Sequence, residues 1–463
     1  MRTKFFAATI LMGLACGCLS AQKKSPDDVN VGTDAADTGK DATLPPPDIK
    51  GWDPGILPQD SGPDHSYKDN PVQSDHMGDV GGSDLHDAGC ADFRILSFSA
   101  AGGLKYAVFD QQVDITANVE SSGPAPSVQV DFQPASLSAY WHDTGNGNGW
   151  FRQTAADEKF ATTEVTLKLK VTGGGCTDEA TYAFKVLGSV WAAEYGGDVV
   201  QVFRSDGQFI VQGIPTTFLN DPWSLIQLAP DRIGVGNRHK DGVEIYDLDG
   251  THVGAFDIVD DKGSNLYSIY GAYALMRHQP DGKIWVAGPR GKLLIYEPDG
   301  TFLDYVYLDI YPAGELQGED LFQLPDQTSV IVGDKTLSWD MYLLDIDGKP
   351  VGKWGDNSQE LQLKVYRAAS IAGGGVAVSG KVGLAINKAV LAILKPGGQM
   401  VKQSAPVPDF LQSYDILPFG DGYLVSTDQG SIARFDADLN LVTSSWTGAK
   451  EGDYRGLMLL GGN

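Results

Sequence analysis

Side chains suited to ligand binding recur in six short segments between residue 188 and the end of the chain. Nearly every segment places an aromatic residue beside an acid or an arginine. If these segments share one rim, they form an aromatic pocket of mixed charge, suited to sugars, peptides or small polar molecules. The candidate ligand-binding residues are Trp223, Tyr273, Asp320, Arg367, Asp415 and Arg455.

Three aspartates in these segments offer an alternative chemistry, because hard cations such as calcium take several carboxylate or amide oxygens. Asp221, Asp320 and Asp415 could supply such oxygens. Zinc is disfavoured, since the few histidines of this region lack ligand spacing. The sequence also contains no Gly-x-Ser-x-Gly elbow for a serine nucleophile. We therefore expect no catalytic residue, no metal and no cofactor, with calcium at the three aspartates as the alternative.

A repeat that begins near residue 188 predicts the elements that position these side chains. Six turns of similar design recur at intervals of 43, 50, 48, 50 and 41 residues. Asp-Gly between alternating apolar runs predicts a hairpin, because glycine accepts the positive φ that tight turns need. The turns end at Gly207, Gly250, Gly300, Gly348, Gly398 and Leu439.

The period of 41–50 residues fits a β-propeller blade of four strands. The first repeat lacks an opening strand, since the region starts with the apolar run 189–193, and the chain ends with an orphan apolar run at 456–460. One C-terminal strand added to three N-terminal strands completes a blade and leaves no exposed edge. The sequence therefore predicts a six-bladed β-propeller over residues 188–463.

The repeat resembles the six-bladed propellers of the NHL-repeat and TolB-like groups. The likeness lies in the period and in hairpin turns such as 246–250, Tyr-Asp-Leu-Asp-Gly, and it implies the fold alone. Propeller hydrolases of the lactonase type hold calcium on the axis. This resemblance is the reason for keeping Asp221, Asp320 and Asp415 as an alternative metal site.

Residues 1–21 have the features of an export signal, with Arg2 and Lys4 before an apolar run of about ten residues. The segment Leu-Ala-Cys-Gly-Cys at 14–18 resembles a bacterial lipobox, with Cys18 as the lipidated residue and Cys16 as a competitor. We expect an exported lipoprotein anchored at the outer membrane or cell surface. The alternative is an ordinary periplasmic or secreted protein.

The chain carries a net charge of -25, and the densest acidic part follows the export signal. Residues 19–89 contain 14 Asp and 5 Lys, with many Pro and Gly and few aliphatic residues. Such a composition cannot bury enough apolar surface to fold, so residues 22–89 are predicted to be a disordered tether. The charge excludes a nucleic-acid partner and electrostatic docking on anionic lipid, which need a basic surface.

Residues 90–187 contain short alternating runs separated by turns, such as 113–117 and 165–169. This pattern predicts a β-sandwich, and it resembles an immunoglobulin-like module. Cys90 and Cys176 would share an oxidising compartment after export, and a disulfide between them is predicted.

Together these features predict an all-β chain: a signal peptide (1–21), a tether (22–89), an immunoglobulin-like β-sandwich (90–187) and a propeller (188–463). We expect a non-catalytic binding or interaction protein that recognises a protein, a glycan or a small polar ligand. The alternative is a metal-assisted hydrolase or lyase at the propeller axis.

Overall fold

The computed structural model describes most of the chain from residue 92 to residue 461, and these residues belong to one compact unit. The predicted signal peptide, Cys18 and the tether fall on residues that are not described. No helix of the described part is long and apolar enough to cross a membrane. The gaps within the range are 155–160, 216, 240–241, 259–271, 273, 289–290, 309–316, 336–337, 355–362, 372, 383–388, 406, 408–411, 429 and 449–452.

The first part of the described chain folds into eight strands, with two short 3₁₀ helices, Ala101–Gly103 and Ala135–Tyr140. The strands are β1 (Phe93–Ala100), β2 (Tyr106–Ala107), β3 (Val113–Ser121), β4 (Ser127–Gln133), β5 (Trp141–Gly145), β6 (Asn148–Phe151), β7 (Thr163–Gly173) and β8 (Cys176–Val186). They form two four-stranded sheets, in the orders β1-β3-β6-β5 and β2-β8-β7-β4.

A shared core packs the two sheets together. In β7 the side chains alternate, so that Val165, Leu167 and Leu169 are fully buried while their neighbours are partly exposed. These residues belong to one apolar cluster with Phe98 and Ile115 of the other sheet. Period-two alternation therefore places one face of each sheet in the core, as the sequence predicted.

The remaining 24 described strands lie between residue 190 and residue 459. Three come first: β9 (Val190–Tyr195), β10 (Val199–Phe203) and β11 (Phe209–Ile214). The next twelve are β12 (Pro222–Ala229), β13 (Arg232–Asn237), β14 (Gly242–Asp247), β15 (His252–Asp257), β16 (Ala274–Arg277), β17 (Ile284–Gly288), β18 (Lys292–Tyr296), β19 (Phe302–Tyr307), β20 (Gln317–Gln323), β21 (Ser329–Lys335), β22 (Ser338–Leu344) and β23 (Pro350–Lys353). The last nine are β24 (Leu363–Ile371), β25 (Gly375–Val382), β26 (Ala389–Leu394), β27 (Met400–Gln403), β28 (Ser413–Phe419), β29 (Gly422–Thr427), β30 (Ser431–Phe435), β31 (Leu441–Thr447) and β32 (Asp453–Leu459).

These strands form six antiparallel sheets of four strands each, consistent with a β-propeller. Five sheets take four consecutive strands, starting at β12, β16, β20, β24 and β28, whereas the sixth has the order β11-β10-β9-β32. The C-terminal strand β32 pairs with β9, with Leu457 opposite Ala192. The predicted closure by one C-terminal strand is thus confirmed. The inner strands, which contact each other between sheets, are β12, β16, β20, β24, β28 and β32.

The six predicted turns share one closing hydrogen bond and a positive φ at their last residue. Each closes with a hydrogen bond from the last turn residue to the carbonyl three residues earlier, as in Gly250 N to Asp247 O at 2.9 Å. Gly250 has a φ of 88°, and Leu439, which replaces glycine in the sixth turn, has a φ of 60°. The hairpin prediction therefore holds even where the glycine is missing.

Candidate functional site

A repeated irregularity in the inner strands sets the geometry of the candidate site. In five of them, the pairing with the next strand shifts by one residue near the N-terminal end. Such a bulge re-aims the side chains around it. The residues at the shift are Trp223, Glu319, Tyr366, Tyr414 and Arg455. The predicted Tyr273 precedes β16 and lies outside the described residues.

The residues that directly follow these shifts form a second layer, which we call the polar ring. Its charged members are Asp320, Arg367 and Asp415. Arg367 Nη1 lies 3.4 Å from Asp320 Oδ1, and the two side chains are only 5% and 15% exposed. Three predicted site residues therefore meet in one buried layer, and the bulges separate them from Trp223, Tyr414 and Arg455.

The two aspartates of the polar ring connect neighbouring inner strands. Asp320 Oδ2 accepts a hydrogen bond from the Ala368 amide at 2.7 Å, across to β24. Asp415 Oδ2 accepts one from the Leu457 amide of β32 at 2.5 Å. Their other oxygens accept from the amides of Leu321 and Ile416, each at 2.8 Å. These four bonds fix the wall of the central channel.

Burial strongly perturbs both carboxyl groups. Loss of hydration raises the pKa of Asp415 to about 7, although Arg367 acts in the opposite direction and Asp320 adds to the rise. Burial also raises the pKa of Asp320, against the opposing charge of Arg367. Removing a carboxylate from water favours its neutral form, so Asp415 is poised between its two forms near neutral pH.

The shifted residues form an aromatic stack around one arginine. The guanidinium carbon of Arg455 lies 3.3 Å from the ring centre of Tyr414 and 4.8 Å from that of Trp223. It also lies 4.8 Å from Tyr195, which comes from β9. Asp453 accepts a hydrogen bond from Arg455 at 2.8 Å. The predicted residues Trp223 and Arg455 are therefore in contact with each other.

A second arginine joins the same rings. The guanidinium carbon of Arg238 lies 5.0 Å from the ring centre of Trp223 and 5.4 Å from that of Tyr195, and Arg238 donates a hydrogen bond to the Tyr195 hydroxyl at 2.9 Å.

Burial raises the pKa of Tyr414 to about 12, with Asp453 adding to the rise and Arg455 opposing it. This phenol is therefore neutral at physiological pH and serves as a stacking surface.

A cavity of about 690 Å³ extends along the channel from the polar ring toward the C-terminal ends of the inner strands. Asp320, Arg367 and Asp415 line it, whereas Trp223 and Arg455 do not. Its middle is apolar, and its volume lies in the range of small-molecule sites. The apolar wall includes Leu225, Leu275, Leu321, Phe322, Ile416, Leu417 and Leu457.

The alternative metal ligands make contacts of different kinds. Asp320 and Asp415 share the polar ring, but Asp221 Oδ1 accepts from the Gly196 amide at 3.0 Å, and its Oδ2 lies 3.1 Å from His239 Nε2. Among the described residues, no group of three or more His, Cys, Asp or Glu is placed to hold a metal ion.

The predicted disulfide involves one described cysteine. Cys176 is half-buried at the start of β8, while Cys90 lies outside the described residues. The bridge therefore stays a prediction.

Sequence reasoning did not select Tyr195, Arg238 and Arg277, which complete the stack and the far end of the cavity. Tyr195 ends β9 and Arg238 follows β13, neither of which is an inner strand, and Arg277 lies at the opposite end of its inner strand. The predicted site residues come from segments that lead into the inner strands, and none of these three residues lies in such a segment. The sequence of β16, Ala-Leu-Met-Arg, in which Arg277 alone is polar, was the available signal.

Comparison with known proteins finds only distant structural neighbours. No family model matches the chain, and no curated protein matches it. Among solved structures, a protein of unknown function from Bacteroides caccae is 12% identical with a TM-score of 0.43, covering 58% of this chain and 98% of its own. A streptogramin B lyase structure is 13% identical with a TM-score of 0.40, covering 59% of this chain and 90% of its own. At these values the likeness carries no argument about function.

Proposed function

We propose that this chain is an exported binding protein that takes a small polar or amphipathic ligand in the channel of a six-bladed propeller. The observation that carries the proposal is the cavity of about 690 Å³, with a charged layer at one end and an apolar wall beyond it. A site of this kind orients a ligand by a few polar groups and gains affinity from apolar contact.

The bonding of the ring acids supports binding rather than hydrolysis. All four carboxylate oxygens of Asp320 and Asp415 accept hydrogen bonds from backbone amides of the channel wall. Arg367 also donates to the Glu319 carbonyl. Groups held in this way support the shape of a site, because each oxygen moved toward a reacting atom leaves an amide without its acceptor.

The proposal includes the location inferred from the N-terminus. A lipid on Cys18, or on Cys16, followed by the tether at 22–89, would hold the folded part away from a bacterial membrane. The sandwich, proposed to be immunoglobulin-like and clamped by Cys90–Cys176, would serve as a spacer. The net charge of -25 agrees with a partner other than nucleic acid.

A metal-assisted hydrolase or lyase is the second candidate, favoured by the placement of Asp320 and Asp415 in one ring. Calcium would have to share each carboxylate oxygen with the backbone amide that donates to it. A stabilising shift in melting temperature on adding calcium, abolished in Asp415→Asn, supports this candidate. An unchanged melting temperature removes it.

Ligand-observed NMR with a defined library of small polar and amphipathic compounds tests the proposal. Ser370 lines the cavity, so Ser370→Trp places an indole ring where it obstructs the channel, whereas Val401→Trp adds the same side chain at a site that is 59% exposed. Compounds should bind the wild type and Val401→Trp but not Ser370→Trp. Binding that is equal in all three proteins contradicts the proposal.

A further inference from the structure

A cation lies at the end of the cavity opposite the polar ring. Arg277 ends the inner strand β16, is half-buried and lines the cavity. It makes no ion pair or hydrogen bond with any residue that the structure describes. A charged group turned toward a cavity without a compensating partner favours an anion there.

Glutamines surround Arg277, and their polar groups are already used by the backbone. Gln227 Oε1 accepts from the Gly461 amide at 2.9 Å. Gln323 Oε1 accepts from the Gln279 amide at 3.0 Å, and its Nε2 donates to the Gln327 carbonyl at 3.0 Å. These bonds hold in place this end of the cavity, which we call the rim and which contains Gln227, Arg277 and Gln323. Arg277 is the charged side chain that this rim leaves for a ligand.

The separation between rim and ring follows from strand geometry. Asp320 of the ring and Gln323 of the rim are three residues apart in β20. A strand rises about 3.3 Å per residue, so the two layers are about 10 Å apart. An extended tripeptide has about the same length from its ammonium to its carboxylate.

The charges at the two ends differ in sign once both acids of the polar ring are ionised. The polar ring contains two aspartates and one arginine, so it attracts a cation when both acids are ionised. Among the described residues that line the cavity, the rim contributes one charged side chain, that of Arg277. Between them lie apolar side chains, among them Leu321, Ile416 and Leu457.

Resting on the proposed function, we infer that the ligand of the channel is a short apolar peptide bound lengthwise. Its C-terminal carboxylate pairs with Arg277, its ammonium faces Asp415 of the polar ring, and its side chains pack on the apolar wall. The class of ligand is thus a zwitterion about 10 Å long with an apolar middle.

Calorimetric titration with trileucine, trileucine amide and N-acetyl-trileucine tests this inference. Trileucine should bind the wild type, and removing either terminal charge should weaken binding about tenfold or more, as expected for a charged hydrogen bond. Arg277→Gln should weaken trileucine binding by a similar factor and leave that of the amide unchanged. Arg232→Gln, which removes an exposed arginine outside the cavity, is the matched control and should change neither.

Equal affinity of the acid and the amide for the wild type overturns the inference, as does the absence of trileucine binding. Both of these results use the unaltered protein and do not depend on how a variant folds. If library compounds still bind the wild type and are excluded by Ser370→Trp, the channel remains a binding site and only the peptide is wrong. If no compound depends on the channel, the proposed function itself fails.

Discussion

Buried charge in the polar ring connects the inner strands to each other. Asp320 and Asp415 each accept a hydrogen bond from a backbone amide of the following inner strand. Arg367 lies beside them with 5% of its side chain exposed. A buried ion of this kind costs free energy to desolvate and is tolerated where its partners are complete. Substitutions in the polar ring should therefore lower the free energy of unfolding.

Stability should depend on pH through Asp415. Its pKa is raised from the usual 3.8 to about 7, so the native state binds a proton that the unfolded chain has released between these values. The contribution of this group is most favourable below pH 4 and is lost as pH rises toward 7, on the order of a few kcal/mol. Asp415→Asn should remove this dependence. Urea denaturation at pH 5 and pH 8 measures it, and an identical pH slope in both proteins would refute the assignment.

Removing the guanidinium of the ring should be costly. Arg367→Met leaves Asp320 buried without its charged partner, which should lower the free energy of unfolding by about 3–5 kcal/mol. Arg232→Met breaks an exposed pair with Asp247 and should cost less than about 1 kcal/mol. Equal small losses in chemical denaturation would show that the ring pair is not a structural element.

Hairpin turns are the elements that the sequence predicts best. Five glycines and Leu439 all adopt the positive φ that was inferred from Asp-Gly and its spacing. The bulges of the inner strands could not be inferred, because no residue type marks the one-residue shift. These bulges divide the predicted ligand-binding residues between the polar ring and the aromatic stack around Arg455. The strands β2, β5 and β6 were also missed, since β2 has two residues and neither β5 nor β6 shows apolar alternation in its sequence.

Two turn glycines with the same φ of 88° should differ in their tolerance of a side chain. A Cβ at Gly250 would lie 2.1 Å from the Gly213 carbonyl oxygen, whereas one at Gly397 meets nothing within 4 Å. Gly397→Ala should cost about 1–2 kcal/mol for the left-handed conformation. Gly250→Ala should cost about 1–3 kcal/mol more through overpacking. Thermal melts compare the two, and equal losses would contradict the close contact.

On the scale of the whole molecule, the sandwich and the propeller sheets are joined by specific bonds. The Phe109 amide donates to Ser205 Oγ at 2.7 Å in a buried position, and the Arg204 guanidinium lies 5.1 Å from the Phe109 ring. The Thr162 amide donates to the Leu460 carbonyl at 2.8 Å, directly after β32. We call these contacts between the sandwich and the propeller sheets the seam. One end of the seam lies beside β32, the strand that closes the propeller.

This seam should make the two parts unfold together. Ser205→Ala leaves the buried Phe109 amide without its acceptor and should cost about 1–3 kcal/mol. Ser97→Ala, at an exposed position of β1, should cost little and serves as the control. Differential scanning calorimetry should show one transition that shifts as a whole in Ser205→Ala. Two separate transitions, with the propeller midpoint unchanged, would show that the seam does not couple them.

The position of the ligand tests the central claim most directly. A crystal structure of the wild type with the tightest compound from the NMR screen should show it between the polar ring and Arg277, within the cavity of about 690 Å³. Density for the compound at the Arg455 stack, on the outer strands or on the sandwich, with the channel left to solvent, would contradict the account.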